Sequence, residues 1–186
     1  MPKPAYFETS IFIEMVTKRS PHKARVRDLL ADFQEKRVRV YTSIITVQEM
    51  SVSIHRRGTI ARDIYGDIRS MARVYTITKE IALTAAKIEA ALKDIADQEE
   101  AKRDKSKPLT LQQEIDRVCE NRRRKWDCFH IATALVLECD VMYSTDAKLQ
   151  KRPKQLGLKN LKIIPPPDMT RMIKGPLLDH TLGSEN

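Results

Sequence analysis

Glycine is scarce in this chain, with five among 186 residues. None belongs to a Gly-rich loop that could cradle phosphate groups, so that mode of nucleotide binding is excluded. Cysteine is scarcer. Cys119, Cys128 and Cys139 form an odd set without CxxC spacing, which argues against a disulfide framework or a structural zinc site and leaves ordinary thiols. The four histidines show no HExxH spacing, and no GxSxG occurs, so zinc-protease and serine-hydrolase patterns are missing. No apolar run approaches the ~20 residues that span a bilayer. The opening "MPKPAYFETS" lacks the apolar core of a secretory signal, which predicts a cytoplasmic protein with no membrane association.

What is present describes a globular domain. Hydrophobic residues make up 41% and charged residues 32% of the chain, enough apolar content for one substantial core. The 34 Lys and Arg outweigh the 25 Asp and Glu, for a net charge of +9. Such an excess attracts polyanions, or merely keeps a surface soluble.

The periodicity alternates strand and helix. Residues 5–8, 38–43, 74–78, 141–144 and 161–164 read as short strands. Helical spacing marks the stretch around Val26, Leu29, Leu30 and Phe33. It recurs at 46–57, ended by Gly58, then at Ile60, Ile64, Ile68 and Met71, and then from Ile81 to Ile95. The polar stretch 97–107 reads either as an exposed helix extension or as a mobile excursion, with Pro108 breaking it. One helix is expected from about Leu111 to Arg124 and a second, buried one at 127–139. Strands alternating with helices imply a parallel sheet covered on both faces, in which ligands gather beyond the carboxyl ends of the strands.

Four acids fall near those ends. Glu8 closes the first strand, Asp146 follows "VMYS", Glu49 is placed in the first turn of the helix after strand 38–43, and Asp127 is placed at the opening of the apolar helix. Each has a plain reading: Glu8 as a solvated loop residue or cap, Thr46 to Glu49 as a capping box, Asp127 and Asp146 as acids at helix N-termini. Gathered together, four carboxylates would repel one another and partly protonate. A hard divalent cation, Mg²⁺ or Mn²⁺, relieves the conflict and retains waters that serve as nucleophiles in metal-dependent nucleases.

The blocks "YFETSIFIEM", "SIITVQEM", "WDCFHIATALVLECDVMYSTDAKLQK" and "LKII" resemble, in order and spacing, the motif blocks of PIN domains over roughly residues 5–165. The third block is the most specific of them. The resemblance implies a PIN-like three-layer α/β sandwich with a mostly parallel central sheet and helices on both faces. It also implies a Mg²⁺- or Mn²⁺-dependent endoribonuclease that leaves a 3′-hydroxyl and a 5′-phosphate. Many such proteins are toxins of toxin–antitoxin modules, inhibited by an antitoxin protein and often homodimeric. The acidic positions of the family fall on Glu8, Glu49, Asp127 and Asp146, and its supporting hydroxyls on Ser10 and Thr145. One position departs from the pattern: the family's first acid is normally Asp. The extra methylene of Glu8 moves the carboxylate by roughly 1.5 Å. A catalytically weakened module that binds RNA or protein, or a defence-system nuclease, are the alternatives.

The expected organisation is a nuclease domain over 1–165, with a polar, helical insertion at about 97–120, and a C-terminal tail over 166–186 in which Leu177 and Leu178 form a small apolar cluster. Arg122, Arg123, Arg124 and Lys125 precede Asp127 and are candidates to clamp an RNA backbone, or else cations at a helix end. Trp126 reads as a core neighbour of the apolar helix or as a stacking surface for a base. His130, three residues after Asp127, reads as a hydrogen-bonded core residue or a catalytic base.

Overall fold

The structure is a computed structural model that describes residues 2–56, 63–103 and 109–168, without the side chains of Arg56, Glu120 and Arg122. Five short strands form one sheet: β1 (Ala5–Phe7), β2 (Val40–Ser43), β3 (Arg73–Tyr75), β4 (Val141–Tyr143) and β5 (Lys162–Ile164). Their order is β3-β2-β1-β4-β5, and every pairing is parallel.

The side-chain period of two along each strand divides the core into two layers. Tyr6 on β1 is in register with Tyr41 on β2 and Met142 on β4, which in turn faces Ile163 on β5. That row packs against Ile81, Ala85, Ile88 and Leu92 of α5 (Lys79–Ala101) and Cys128, Ile131 and Ala132 of α6 (Leu111–Val136). Ala5, Phe7 and Tyr143 point the other way. They meet α1 (Thr9–Val16), α2 (Lys23–Glu35), α3 (Ile44–Arg56) and α4 (Ile64–Met71) through Ile11, Phe12, Val26, Leu29, Phe33, Met50 and Ile68. Phe7 lies edge-on to Phe12 and Tyr143, with ring centroids 6.2 and 5.7 Å apart. The expected three-layer sandwich is the observed one. The chain leaves β1 for β2 on one side and comes back to β4 on the other, so the order reverses beside β1. In parallel sheets this is where a crevice opens beyond the strand ends.

Three local expectations differ from the structure. α6 is one continuous helix, not two. No Gly or Pro interrupts 111–136, so the change from an exposed first half to a buried second half does not end it. Asp127 therefore lies deep inside a helix, and Arg122 to Lys125 are interior helical residues instead of a terminus. α3 starts at Ile44, directly after β2, with the Ser43 hydroxyl accepting the Ile45 N–H at 3.2 Å. Glu49 then falls in the second turn, and the capping box at Thr46–Glu49 does not form. Strand β3 stops at Tyr75, because the Thr78 hydroxyl caps α5 by accepting the Ile81 N–H.

Of the polar stretch, the residues up to Ala101 extend α5, where Glu100 meets Arg117 of α6 at 3.6 Å. Arg57, Gly58 and Ile60, the segment 104–108 with Pro108, and 169–186 with Leu177 and Leu178 lie outside the described residues. After β5, Asp168 pairs with Arg25 of α2 at 3.4 Å. All three cysteines are free thiols, and burial pushes Cys128 and Cys139 up to about 12, where they are unreactive.

A continuous α6 makes Lys125 an interior, exposed helical position. Lys125→Pro is expected to lower unfolding free energy by about 3 kcal/mol or more in urea titrations. A neutral effect would indicate a break between residues 124 and 127.

Candidate active site

Glu8 is the N-cap of α1. Its Oε2 accepts the Ser10 N–H at 3.0 Å, with extended backbone at φ −80° and ψ 162°. The same oxygen accepts the Ser144 hydroxyl at 2.9 Å. Among the described residues Oε1 makes no hydrogen bond. Glu8 is thus a helix cap through one oxygen, while the other keeps its ligand capacity.

Ser144, fully buried at the end of β4, links two acids. Its Oγ donates to Glu8 and accepts the Asp146 N–H at 3.0 Å. Asp146 holds the next turn in place, with Oδ1 accepting the N–H groups of Lys148 at 2.7 Å and Leu149 at 3.3 Å. Ser10 Oγ accepts the Thr145 N–H at 2.9 Å and lies 3.4 Å from Ser144 Oγ. The Thr145 contribution is its backbone amide, and the hydroxyl that reaches an acid in that loop belongs to Ser144.

Beneath this rim is a buried polar network. His130 Nε2 is 3.0 Å from Glu49 Oε2, and its Nδ1 is 2.7 Å from the Tyr6 hydroxyl. Thr9 donates a short hydrogen bond to Glu49, and its hydroxyl also lies 3.3 Å from both Thr46 Oγ1 and His130 Nε2. Thr42 donates to the Phe7 carbonyl at 2.8 Å and is 2.8 Å from Thr46 Oγ1. Burial, the largest influence on Glu49, pushes its pKa up. The hydrogen bond and charge of His130 and the Thr9 hydroxyl outweigh it, and the net shift is downward. His130 mirrors this. Burial would lower it, but the Glu49 hydrogen bond and the charges of Glu8, Glu49 and Asp127 bring it above its ordinary value. An imidazolium donates from both ring nitrogens, which suits the Tyr6 hydroxyl at Nδ1 and the Glu49 carboxylate at Nε2.

Single ligand atoms from Glu8, Glu49 and His130 all lie within 4.8 Å of one another. Asp127 and Asp146 line an adjoining cavity of about 350 Å³ with Asp116, Arg123, Lys148 and Arg152. Asp127 makes no hydrogen bond among the described residues. Burial, reinforced by the charges of Asp146 and Glu8 and only partly offset by His130 and Arg152, pushes its carboxyl up to about 6. The four acids are thus brought to one end of the sheet as two neighbouring subsets that sense each other electrostatically.

Of the basic run, Arg123 faces both this cavity and its neighbour. Arg124 instead bonds to the Leu92 carbonyl at 3.4 Å and to Asn121, and so belongs to the α5–α6 contact. Lys125 is exposed, and the Arg122 side chain lies outside the described residues. Sequence reasoning did not single out Thr9, Ser144, Lys148 or Arg152 for this site. Ser144, directly after β4, and Thr9, two residues after β1, carried a weak signal as hydroxyls near strand ends; Lys148 and Arg152 carried none.

The donor set fits a hard divalent cation. It offers carboxylate oxygens, among them Glu8 Oε1 without a hydrogen bond and an Asp127 carboxyl that burial disfavours as an anion. Residues 5–155 match the PIN domain profile, most of the chain. The chain belongs to the PIN-domain family, a family of nucleases that generally use divalent metals. One similar solved structure is VapC20 of Mycobacterium tuberculosis, a toxin that cleaves the Sarcin-Ricin loop. It is 14% identical, with a TM-score of 0.46 over 78% of this chain and 92% of that one. A search of the curated proteins returned no significant match.

Burial raises the pKa of Asp127 in the folded state. Its protonated form favours the folded state at acid pH, and that stability is lost as pH rises from the ordinary carboxylate range through about 6. With EDTA present, Asp127→Asn is therefore expected to stabilise the protein at pH 7.5 by about 1–3 kcal/mol. The gain should shrink towards pH 5 in urea titrations, and Mn²⁺ should stabilise the wild type more than the variant.

Proposed function

We propose that this protein is a Mg²⁺- or Mn²⁺-dependent endoribonuclease, acting as the toxin of a toxin–antitoxin module. The observation that carries the reading is the approach of Glu8, Asp127 and Asp146 at one end of the sheet, where the half-buried Asp127 carboxyl has no hydrogen-bond donor among the described residues and desolvation pushes it up to about 6. Carboxylates gathered this closely, one of them desolvated and without a hydrogen bond, form a set that a hard cation completes. The nuclease family and the net charge of +9 support RNA as the substrate.

In this reading Glu8, Glu49, Asp127 and Asp146 hold the ion. When bound, it supplies Lewis acidity and a water of lowered pKa. Ser10, Ser144 and the Thr145 amide fix Glu8 at the rim, and the Asp146 turn fixes its own carboxylate against β4. His130 and Thr9 hold Glu49 in one orientation from below. Arg123, Lys148 and Arg152 line the cavity beside the acids, where they offset the repulsion between carboxylates and an incoming phosphodiester. Glu8 serves in place of the family's Asp because its added methylene is anchored through Oε2 by two donors. An antitoxin protein and a homodimer are the expected partners.

Cleavage of a mixed RNA substrate by the purified protein in Mn²⁺ is expected. It should fall at least 100-fold with EDTA or in Asp127→Asn, as read by gel electrophoresis of the products. Glu8→Asp is expected to retain or raise cleavage; abolished cleavage would mean that the site is built around the longer side chain. RNA left intact by wild type in Mn²⁺ would favour the weakened, RNA- or protein-binding alternative.

A further inference from the structure

Trp126 is not a core residue. It is 38% exposed and forms one wall of a cavity of about 650 Å³ on the other side of Arg123 from Asp127. Ile13 of α1 and Val52 of α3 add apolar lining, and Val52 is itself 46% exposed. Gln48 and Ser53 add an amide and a hydroxyl, and Glu49 lines the same cavity. Phe129, one helical turn on, lies beside the indole with ring centroids 6.4 Å apart and planes at 38°, so the ring is held from behind.

We propose that this cavity is a nucleobase subsite, in which Trp126 stacks on the base of a nucleotide next to the phosphate held at the acidic cluster. The inference rests on the ribonuclease reading above. An aromatic face with apolar sides and a few polar edges suits a flat heterocycle with hydrogen-bonding margins. Arg123 lines this cavity and also the one containing Asp127 and Asp146, so a strand whose base lies on Trp126 passes its phosphate along Arg123 towards the acids. Glu49 lines the Trp126 cavity and also stands in the cluster with Glu8 and His130. The chain's net charge of +9 favours a polyanion over an apolar peptide as the occupant.

Trp126 is the single tryptophan of the chain, so indole fluorescence reports on this cavity alone. The test titrates wild type, in EDTA at low ionic strength, with a fluorescently unlabelled single-stranded oligoribonucleotide and with an abasic ribose-phosphate chain of equal length. Quenching by the base-bearing strand and not by the abasic one is expected. With end-labelled strands followed by anisotropy, Trp126→Ala should bind the base-bearing strand roughly 5- to 100-fold more weakly, Trp126→Phe should recover most of that loss, and the abasic chain should not distinguish the three proteins. Base-bearing RNA that leaves the indole unquenched, or that binds Trp126→Ala as well as wild type, overturns the subsite and assigns the cavity to a protein partner's side chain. RNA that does not bind at all overturns it too. In a parallel Mn²⁺ assay, cleavage with an unchanged indole signal overturns the subsite alone. Base-dependent quenching without cleavage overturns the hydrolase reading and upholds the subsite.

Discussion

A part-buried contact of 3.0 Å between Glu49 and His130 links the layers on the two faces of the sheet. Glu49 comes from α3 on one face of the sheet, and His130 from α6 on the other. They meet beyond the end of β1, where Tyr6 binds the second ring nitrogen and Thr9 reaches the carboxylate. Desolvation opposes charge on both groups, so the pair adds little net stability over an apolar pair of equal size. Its consequence is positional. Losing either partner would strand the other, at a cost of about 3–5 kcal/mol, so the relative placement of α1, α3 and α6 is tightly specified. Every other acid in the site takes its position from one of those helices or from the loop after β4.

On that foundation the site combines two opposed electrostatic demands. The acids at the end of the sheet are held close by backbone amides and hydroxyls, with burial raising Asp127 instead of relieving it. Around them the chain is strongly basic, and Arg123, Lys148 and Arg152 line the same cavity as Asp127 and Asp146. A polyanionic strand would be drawn to the surroundings and repelled by the centre, a conflict that a divalent cation resolves. The α5–α6 hairpin extends α6 ahead of Asp127. That half-helix carries Asp116, Arg123 and Trp126 to the rim of the site, so the exposed first half of α6 contributes directly to its walls.

Much of the fold was legible because the strands are short apolar runs and the helices carry clear apolar stripes. β1, β2, β4 and β5 fall within their expected ranges, and the alternation implied the parallel order that the sheet has. The failures are local and share a cause. Two different patterns within α6, an exposed half followed by a buried one, read as two helices, because periodicity reports burial and not continuity. Glu49 was placed a turn too early, since a Thr-x-x-Glu capping signal sits inside a helix that Ser43 already caps. Of the site, the four acids and Ser10 were visible as residues following strands or matching the family's blocks. His130 read as a core histidine or a base, and the structure gives it core hydrogen bonds at the floor of the acidic cluster. Arg152 was not visible, and Ser144 showed only as a hydroxyl following β4. They act through contacts between stretches distant in sequence, and no local pattern encodes which hydroxyl or guanidinium will be near.

The central claim is that separate stretches of chain deliver carboxylates to one divalent ion. Anomalous scattering from crystals soaked in Mn²⁺ tests this most directly. One or two peaks are expected within coordination distance of oxygens from Glu8, Glu49, Asp127 and Asp146, with Glu8 Oε1 among the ligands. Peaks confined to other surface acids, or a Mn²⁺-saturated crystal with none between these residues, would contradict it.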